Sequence, residues 1–252
     1  MPERRFELIG LEGLPEVRPG DDLAALLAGA TEACRVPLRA GDILVVAQKV
    51  VSKAEGRLVD LDTVTPSAFA AEIAAAMHKD PAMIEVVLRE SRRIVRMDQR
   101  VLVVETRHGF VCANAGVDAS NVPGDRMVCL LPVDPDASAE ALRKRLRDGT
   151  GAEVALIISD TFGRPWREGL VNVAIGVAGL VPLHDFRGQQ DPHGYMLHAT
   201  VLATADELAA AAGLAMGKVD RIPAVLIRGF RFDPGDAKAT ALIRPSENDL
   251  FR

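Results

Sequence analysis

The chain has 252 residues, 48% hydrophobic, 26% charged and only 4% aromatic, with a formal net charge of −5. That length allows one large core or two small ones, and so few rings leave Ala, Val, Leu and Ile to fill it. An acidic balance with no Lys/Arg block and no aromatic platform argues against a nucleic-acid partner. No segment reaches the ~20 apolar residues of a membrane span, so a cytoplasmic protein with no membrane partner is expected.

Residues 6–10 read as a short strand, and residues 14–20 are rich in turn formers. Asp21 and Asp22 then cap a helix beginning at Leu23. Gly41 and Asp42 turn the chain into an apolar strand over 43–47. Gln48, Lys49, Ser52 and Lys53 follow as a charged strand exit, and residues 54–57 form a turn. Residues 66–78 are Ala-rich and read as a helix; Pro81 opens another that runs to about Arg93. Residues 101–105 and 109–113 flank Arg107 and His108 as the arms of a hairpin.

A polar loop over 114–121 carries Asn114, Asp118, Ser120 and Asn121. A helix from Ser138 to about Asp148 precedes an apolar run over 152–158, which reads as a buried strand ending on Asp160 and Thr161. Residues 172–180 are small and imply tight packing against another element. Asp206 opens an Ala-rich helix to about Met216, residues 222–228 form a late strand, and the tail beyond Gly229 is polar. Cys34, Cys112 and Cys129 are odd in number and form no CxxC pair, so free buried thiols are expected.

Three constellations carry chemistry. Asp160 and Thr161 end an apolar strand, with Arg164 and Arg167 just beyond. A carboxylate on a rigid strand end suits a divalent cation, and arginine forks match phosphate. Asp118, among asparagines and a serine, offers oxygens of the same class. Lys49 and Lys53 have the charge to neutralise nucleotide phosphates. Each also has an ordinary reading, as a cap, a turn or a solvated strand exit, and spacing alone leaves both open. There is no P-loop, no strand-borne G-x-G-x-x-G, no HExxH and no G-x-S-x-G, which speaks against the enzyme classes built on them.

Ordered blocks covering residues 13–17, 49–57, 114–121, 159–167, 174–176, 185–188, 205–209 and 222–229 together resemble the coenzyme F420-0:L-glutamate ligase (γ-glutamyl ligase) family. The resemblance implies an α+β fold with mixed sheets and flanking helices, and a homodimer. It implies GTP-dependent ligation of L-glutamate to the lactyl carboxylate of F420-0 through an acyl phosphate, with γ-linked additions in many members. Two divalent cations, Mg²⁺ or Mn²⁺, and K⁺ are implied as cofactors. By resemblance Asp118, Asp160 and Thr161 hold metal, and Leu14, Pro15, Glu16 and Val17 line the nucleotide site. Gln48, Lys53 and Asn121 contact GTP, and Asp118, Asp160 and Lys53 are the catalytic set. The nitroreductase-like domain fused to some bacterial members is not expected in residues 1–252, which read as one catalytic unit, open to division into two subdomains. Residues 216–222 depart from the acidic, glycine-rich stretch of archaeal members, so no role is carried onto Lys218, Val219 or Asp220. From charge and position alone, Arg164 and Arg187 are candidate partners for substrate carboxylates. A ligase acting on another carboxylate, or a non-catalytic nucleotide binder, are the rival readings.

Overall fold

The computed structural model describes residues 5–122 and 124–249. The first part of the chain forms strand β1 (Glu7–Gly10), helix α1 (Leu23–Ala33), strand β2 (Ile43–Ala47) and the short helix α2 (Gln48–Ala54). The middle part forms β3 (Leu58–Asp60), α3 (Ala68–Met77), α4 (Pro81–Arg89), β4 (Ser91–Met97), β5 (Leu102–Thr106), β6 (Val111–Ala113) and β7 (Met127–Cys129). The last part forms α5 (Pro135–Thr150), β8 (Ala155–Arg164), β9 (Arg167–Ala178), β10 (His184–Asp185), β11 (Val201–Leu202), α6 (Thr204–Met216) and β12 (Ala224–Arg228). The fold class is α+β, with mixed sheets and flanking helices. No helix among the described residues is long and apolar enough to cross a membrane.

One five-stranded sheet, in the order β1-β12-β2-β8-β9, organises the first and last parts. Its central pair, β2 and β8, is parallel, and its other pairings are antiparallel. Leu44, Val46, Leu156 and Ile158 enter one core with residues of α1 and α5. Ile43, Val45, Ala155 and Ile157 enter a second with α6. A strand covered on both faces must be apolar at every position, which is why β2 and the start of β8 are unbroken apolar runs. Each Val, Leu or Ile among them contributes roughly 1.5–3 kcal/mol by leaving water. A third core joins α3 and α4 to β5 and β7 through Ile73, Ile84, Val87, Leu102, Val104 and Val128.

Side-chain caps set several helix starts. Asp22 accepts from the Ala25 amide at 3.1 Å, Asp80 from the Ala82 amide at 2.7 Å and Asp134 from the Ala137 amide at 3.0 Å. Each satisfies an amide the helix leaves unpaired, typically worth about 1 kcal/mol. With Asp134 as cap and Pro135 in the first turn, α5 begins three residues before the expected Ser138.

Three other expectations need correction. The strand through Ile158 does not stop at Asp160; β8 continues to Arg164 and pairs with β9 as a long hairpin. The expected strand exit at 48–53 is the helix α2. Helix α4 ends at Arg89, and Ser91–Met97 is instead a strand against β5.

The β8–β9 hairpin carries a bulge. Ile158 opposes Gly176 and Ser159 opposes Ala174, leaving Ile175 unmatched on β9. Bulges of this kind bend a strand and re-aim the side chains beyond them, and Asp160 lies just past it. The small-residue stretch that includes Gly176 packs as tightly as expected: a Cβ on Gly176 would sit 2.3 Å from the Pro135 carbonyl oxygen of α5. We expect Gly176→Ala to lower the unfolding free energy by about 1–3 kcal/mol, the range of an overpacked site. Gly149→Ala, on α5 with nothing within 4 Å of its new methyl, should be neutral or stabilising by about 0.5 kcal/mol. Equal denaturation midpoints for the two variants would contradict this packing.

Candidate active site

The site lies where the parallel pair β2 and β8 ends its apolar run. Ala47, the last residue of β2, is paired with Ser159, and the chain turns at once into α2. Ligands of open sheets commonly bind beyond the carboxyl ends of parallel strands, where loops and helix starts converge. Here β8 contributes Asp160 and Thr161, and α2 contributes Gln48, Lys49, Ser52 and Lys53.

Asp118 arrives from the loop after β6. Asn114, Ala115 and Gly116 turn left-handed there, with φ of 51°, 55° and 71°. A methyl group on Gly116 would meet Leu131 at 2.8 Å, so this position suits glycine alone. The backbone of Asp118 then exchanges two hydrogen bonds with Cys129, at 3.1 and 2.8 Å. That bridge anchors the loop to β7. The Asp118 carboxylate accepts from the Ser120 amide at 2.7 Å and from Lys49 Nζ at 2.7 Å. Lys49 also donates to the Ser120 hydroxyl at 2.6 Å and its carbonyl at 2.9 Å. Burial raises the cost of ionising Asp118, but the Lys49 and Ser120 donors outweigh it and hold the carboxyl below its usual range.

Asp160 is in the opposite position. Burial pushes its carboxyl up to about 6, and the negative charge of Asp118 adds to the rise. The Thr161 amide, at 2.8 Å, and the charges of Lys49 and Lys218 oppose it. Two carboxylates within each other's field, one of them starved of donors, form a donor set that a hard divalent cation satisfies. The Asp118–Asp160 pair therefore fits such an ion.

Thr161 presents a different surface. Its hydroxyl donates to Asn172 Oδ1 at 2.9 Å and accepts from Lys218 Nζ at 2.7 Å. Lys53 is buried, with its ammonium paired to Glu16. This pair ties the 14–17 segment to α2; Leu14 is half-buried and Val17 buried, while Pro15 and Glu16 are exposed. Gln48 is 1% exposed, accepts from the Ser52 hydroxyl at 2.8 Å and leaves Nε2 without a partner among the described residues. Asn121 is exposed, with φ of 55°, beside Ser120.

The two candidate arginines make other bonds. Arg164 is four residues past Asp160, about 13 Å along an extended strand, and donates to the Glu168 carbonyl near the hairpin tip. Arg187 is clamped by Asp185 through bonds of 2.6–3.0 Å. The three cysteines are free, as expected, but only Cys112 and Cys129 are buried, and Cys34 is half-buried. Burial pushes the Cys112 thiol up to about 12, assisted by the Asp160 charge, so it stays protonated.

The residue that sequence reasoning underweights is Lys49, which reads only as one of two lysines. The spacing gives no help: Gln48/Ser52 and Lys49/Lys53 are both i, i+4 pairs, which share a face on a helix and on a strand alike. Removing Lys49 takes a positive charge away from both carboxylates. Their ionised forms then cost more, so both titrate at higher pH. We expect Lys49→Met to move the Asp160 titration, followed by carboxyl ¹³C NMR in the metal-free protein, to above about 6. An unchanged Asp160 midpoint would show that Lys49 does not face the pair.

The sequence profile of the F420-0:gamma-glutamyl ligase family matches residues 13–229. The chain is 50% identical over 250 residues to coenzyme F420:L-glutamate ligase of Methanothermobacter thermautotrophicus, covering 98% of this chain and 99% of that protein. It is 48% identical over 258 residues to the protein of the same name from Methanopyrus kandleri, covering 100% and 99%. For that of Methanocaldococcus jannaschii the identity is 44% over 253 residues, covering 99% and 98%. With a match spanning most of its length and relatives this similar end to end, the chain belongs to the F420-0:gamma-glutamyl ligase family.

Proposed function

We propose that the chain joins L-glutamate to the lactyl carboxylate of F420-0 at the expense of GTP, releasing GDP and phosphate. Full-length similarity to proteins named coenzyme F420:L-glutamate ligase supports the substrates. The observation that carries the chemistry is the convergence of Asp118, Asp160 and Lys49 at one sheet end. A carboxylate and an amine do not condense in water at a useful rate, because hydroxide leaves poorly. Transfer of the γ-phosphoryl group of GTP to the F420-0 carboxylate gives an acyl phosphate with a good leaving group. The glutamate amine then attacks the acyl carbon and phosphate departs. The same steps can be repeated on the new γ-carboxylate, adding further γ-linked glutamates.

In this reading Asp118 and Asp160 hold divalent metal. Bound Mg²⁺ or Mn²⁺ supplies positive charge where negative charge develops on the phosphoryl oxygens. Lys49 keeps Asp118 ionised and oriented. Residues 14–17, Gln48 and Asn121 line the nucleotide, and the free Gln48 Nε2 is a donor ready for it. Lys53 exchanges Glu16 for a phosphate oxygen when GTP binds, and the buried ammonium is then charge-matched. K⁺ is a further ion of the reaction. Exposed apolar side chains such as Leu170 and Tyr195 are of the kind a second copy covers, in keeping with a homodimer. Small polar substrates suit a cytoplasmic enzyme.

GDP release measured with and without F420-0 and glutamate tests the assignment: both should be needed for sustained turnover. With ¹⁸O in the F420-0 carboxylate, label should appear in inorganic phosphate; product formed with unlabelled phosphate would rule out the acyl phosphate. Asp160→Asn should fold normally yet lose at least ~10²-fold in turnover, the scale of losing a strong electrostatic stabiliser. Near-normal activity at saturating Mn²⁺ and GTP would sink the role given to Asp160. Lys53→Met, which keeps the buried stem and removes the charge, should raise the KM for GTP with little change in Tm; unaltered GTP kinetics would remove Lys53 from the site.

A further inference from the structure

The segment after α6 returns to the active site. Gly217 ends the helix with φ of 59° and ψ of −155°, a conformation that belongs to glycine. A methyl group at Gly217 would lie 1.8 Å from the Asp220 carboxylate, so the turn depends on that glycine. The turn directs exposed Lys218 onto β8, where its ammonium donates to Thr161 Oγ1 at 2.7 Å. The Thr161 proton is committed to Asn172 at 2.9 Å, which leaves oxygen lone pairs facing the lysine. Asn172 is itself held on β9, opposite Thr161 in register, with its amide against Met216 Sδ at 3.6 Å. The acceptor is thus pre-set on two sides before Lys218 arrives.

We propose that Lys218 is a built-in cation of this site, its ammonium holding the place at Thr161 where a second divalent ion would bind. A divalent ion on a hydroxyl oxygen sits at roughly 2.1 Å. With Lys218 on the same oxygen, the two charges would lie about 3–5 Å apart, close enough for strong repulsion even with partial screening. The site therefore binds one divalent ion at Asp118 and Asp160, and the lysine supplies the other positive charge. The inference rests on the reading of Asp118 and Asp160 as metal-holding carboxylates, and it goes beyond that reading in the number of ions and in the role of Lys218.

Counting bound Mn²⁺ by EPR in the presence of GDP tests it without turnover. Wild type should bind one tight Mn²⁺ per chain. Lys218→Met, which removes the charge from an exposed position, should bind a second, or bind it at least about tenfold more tightly. Lys218→Arg keeps the charge and should still bind one. Thermal melts would confirm that all three proteins are folded. Two tight ions in wild type, or a count that Lys218→Met leaves unchanged, would overturn the inference. Asp160→Asn separates the carboxylate reading from the role of Lys218. If it abolishes tight Mn²⁺ binding while Lys218→Met changes nothing, the carboxylate reading stands and the role of Lys218 fails. If neither wild type nor Lys218→Met binds Mn²⁺, both fail.

Discussion

Two carboxylates at the end of one sheet repel each other, and burial makes that repulsion expensive. Burial is the main reason the Asp160 carboxyl is pushed up to about 6, with the Asp118 charge adding to it, while Lys49 and Ser120 hold Asp118 below its usual range. Much around the pair lowers this cost with positive charge or donors. Lys49 bonds Asp118, Ser120 caps its other oxygen, and Lys218 bonds Thr161, the residue after Asp160. A scaffold that tolerates such crowding must hold its backbone rigidly, because a carboxylate free to swing into water would do so.

Rigidity comes from the central strands. β2 and the first half of β8 are buried on both faces, so the backbone that carries Ala47 into Gln48, and Ser159 into Asp160, has no freedom to shift. The bulge opposite Ser159 then sets the direction of Asp160 and Thr161. Close contact between Gly176 and Pro135 locks β9 to α5 at the same level, and Asp136 of α5 accepts from the Val177 and Ala239 amides at 2.9 and 2.8 Å. Those two bonds join helix, edge strand and tail at one buried carboxylate. Asp118 is anchored separately through its backbone bridge to Cys129, so the third core, that of the middle segment, delivers the second carboxylate. The proposed chemistry thus draws on the two cores of the large sheet and on this third one, with α2 packed against β2, β8 and β7.

Much of this is legible in the sequence, for physical reasons that can be named. β2 is legible at its observed bounds because a strand covered on both sides has to be apolar throughout. The starts of α1 and α4 are legible from Asp22 and Pro81, whose chemistry is local. The middle of β8 is not. Beyond Ile158 its residues are polar or half-exposed, and their extended form comes from pairing with β9, which no local pattern reports. β4 is hidden for a similar reason. Arg92 and Arg93 look like the basic end of a helix, whereas cross-strand bonds such as Arg93 to Glu105 at 2.8 Å hold them extended. α2 lacks a side-chain cap at Ala47 and is too short to show a helical period. The candidate residues Asp118, Asp160 and Thr161 all stand out in the sequence, and the structure brings them together with Lys49. Their neighbour Lys218 does not, because its approach depends on a glycine turn and on contacts far along the chain.

The proposed chemistry requires Asp118 and Asp160 to close on a shared divalent cation beside the nucleotide phosphates. Anomalous diffraction from crystals grown with Mn²⁺ and GDP tests this most directly. We expect a manganese peak within about 2.0–2.3 Å of a carboxylate oxygen from each residue, with phosphate oxygens completing its shell. A well-ordered GDP accompanied by manganese that touches neither carboxylate would contradict it.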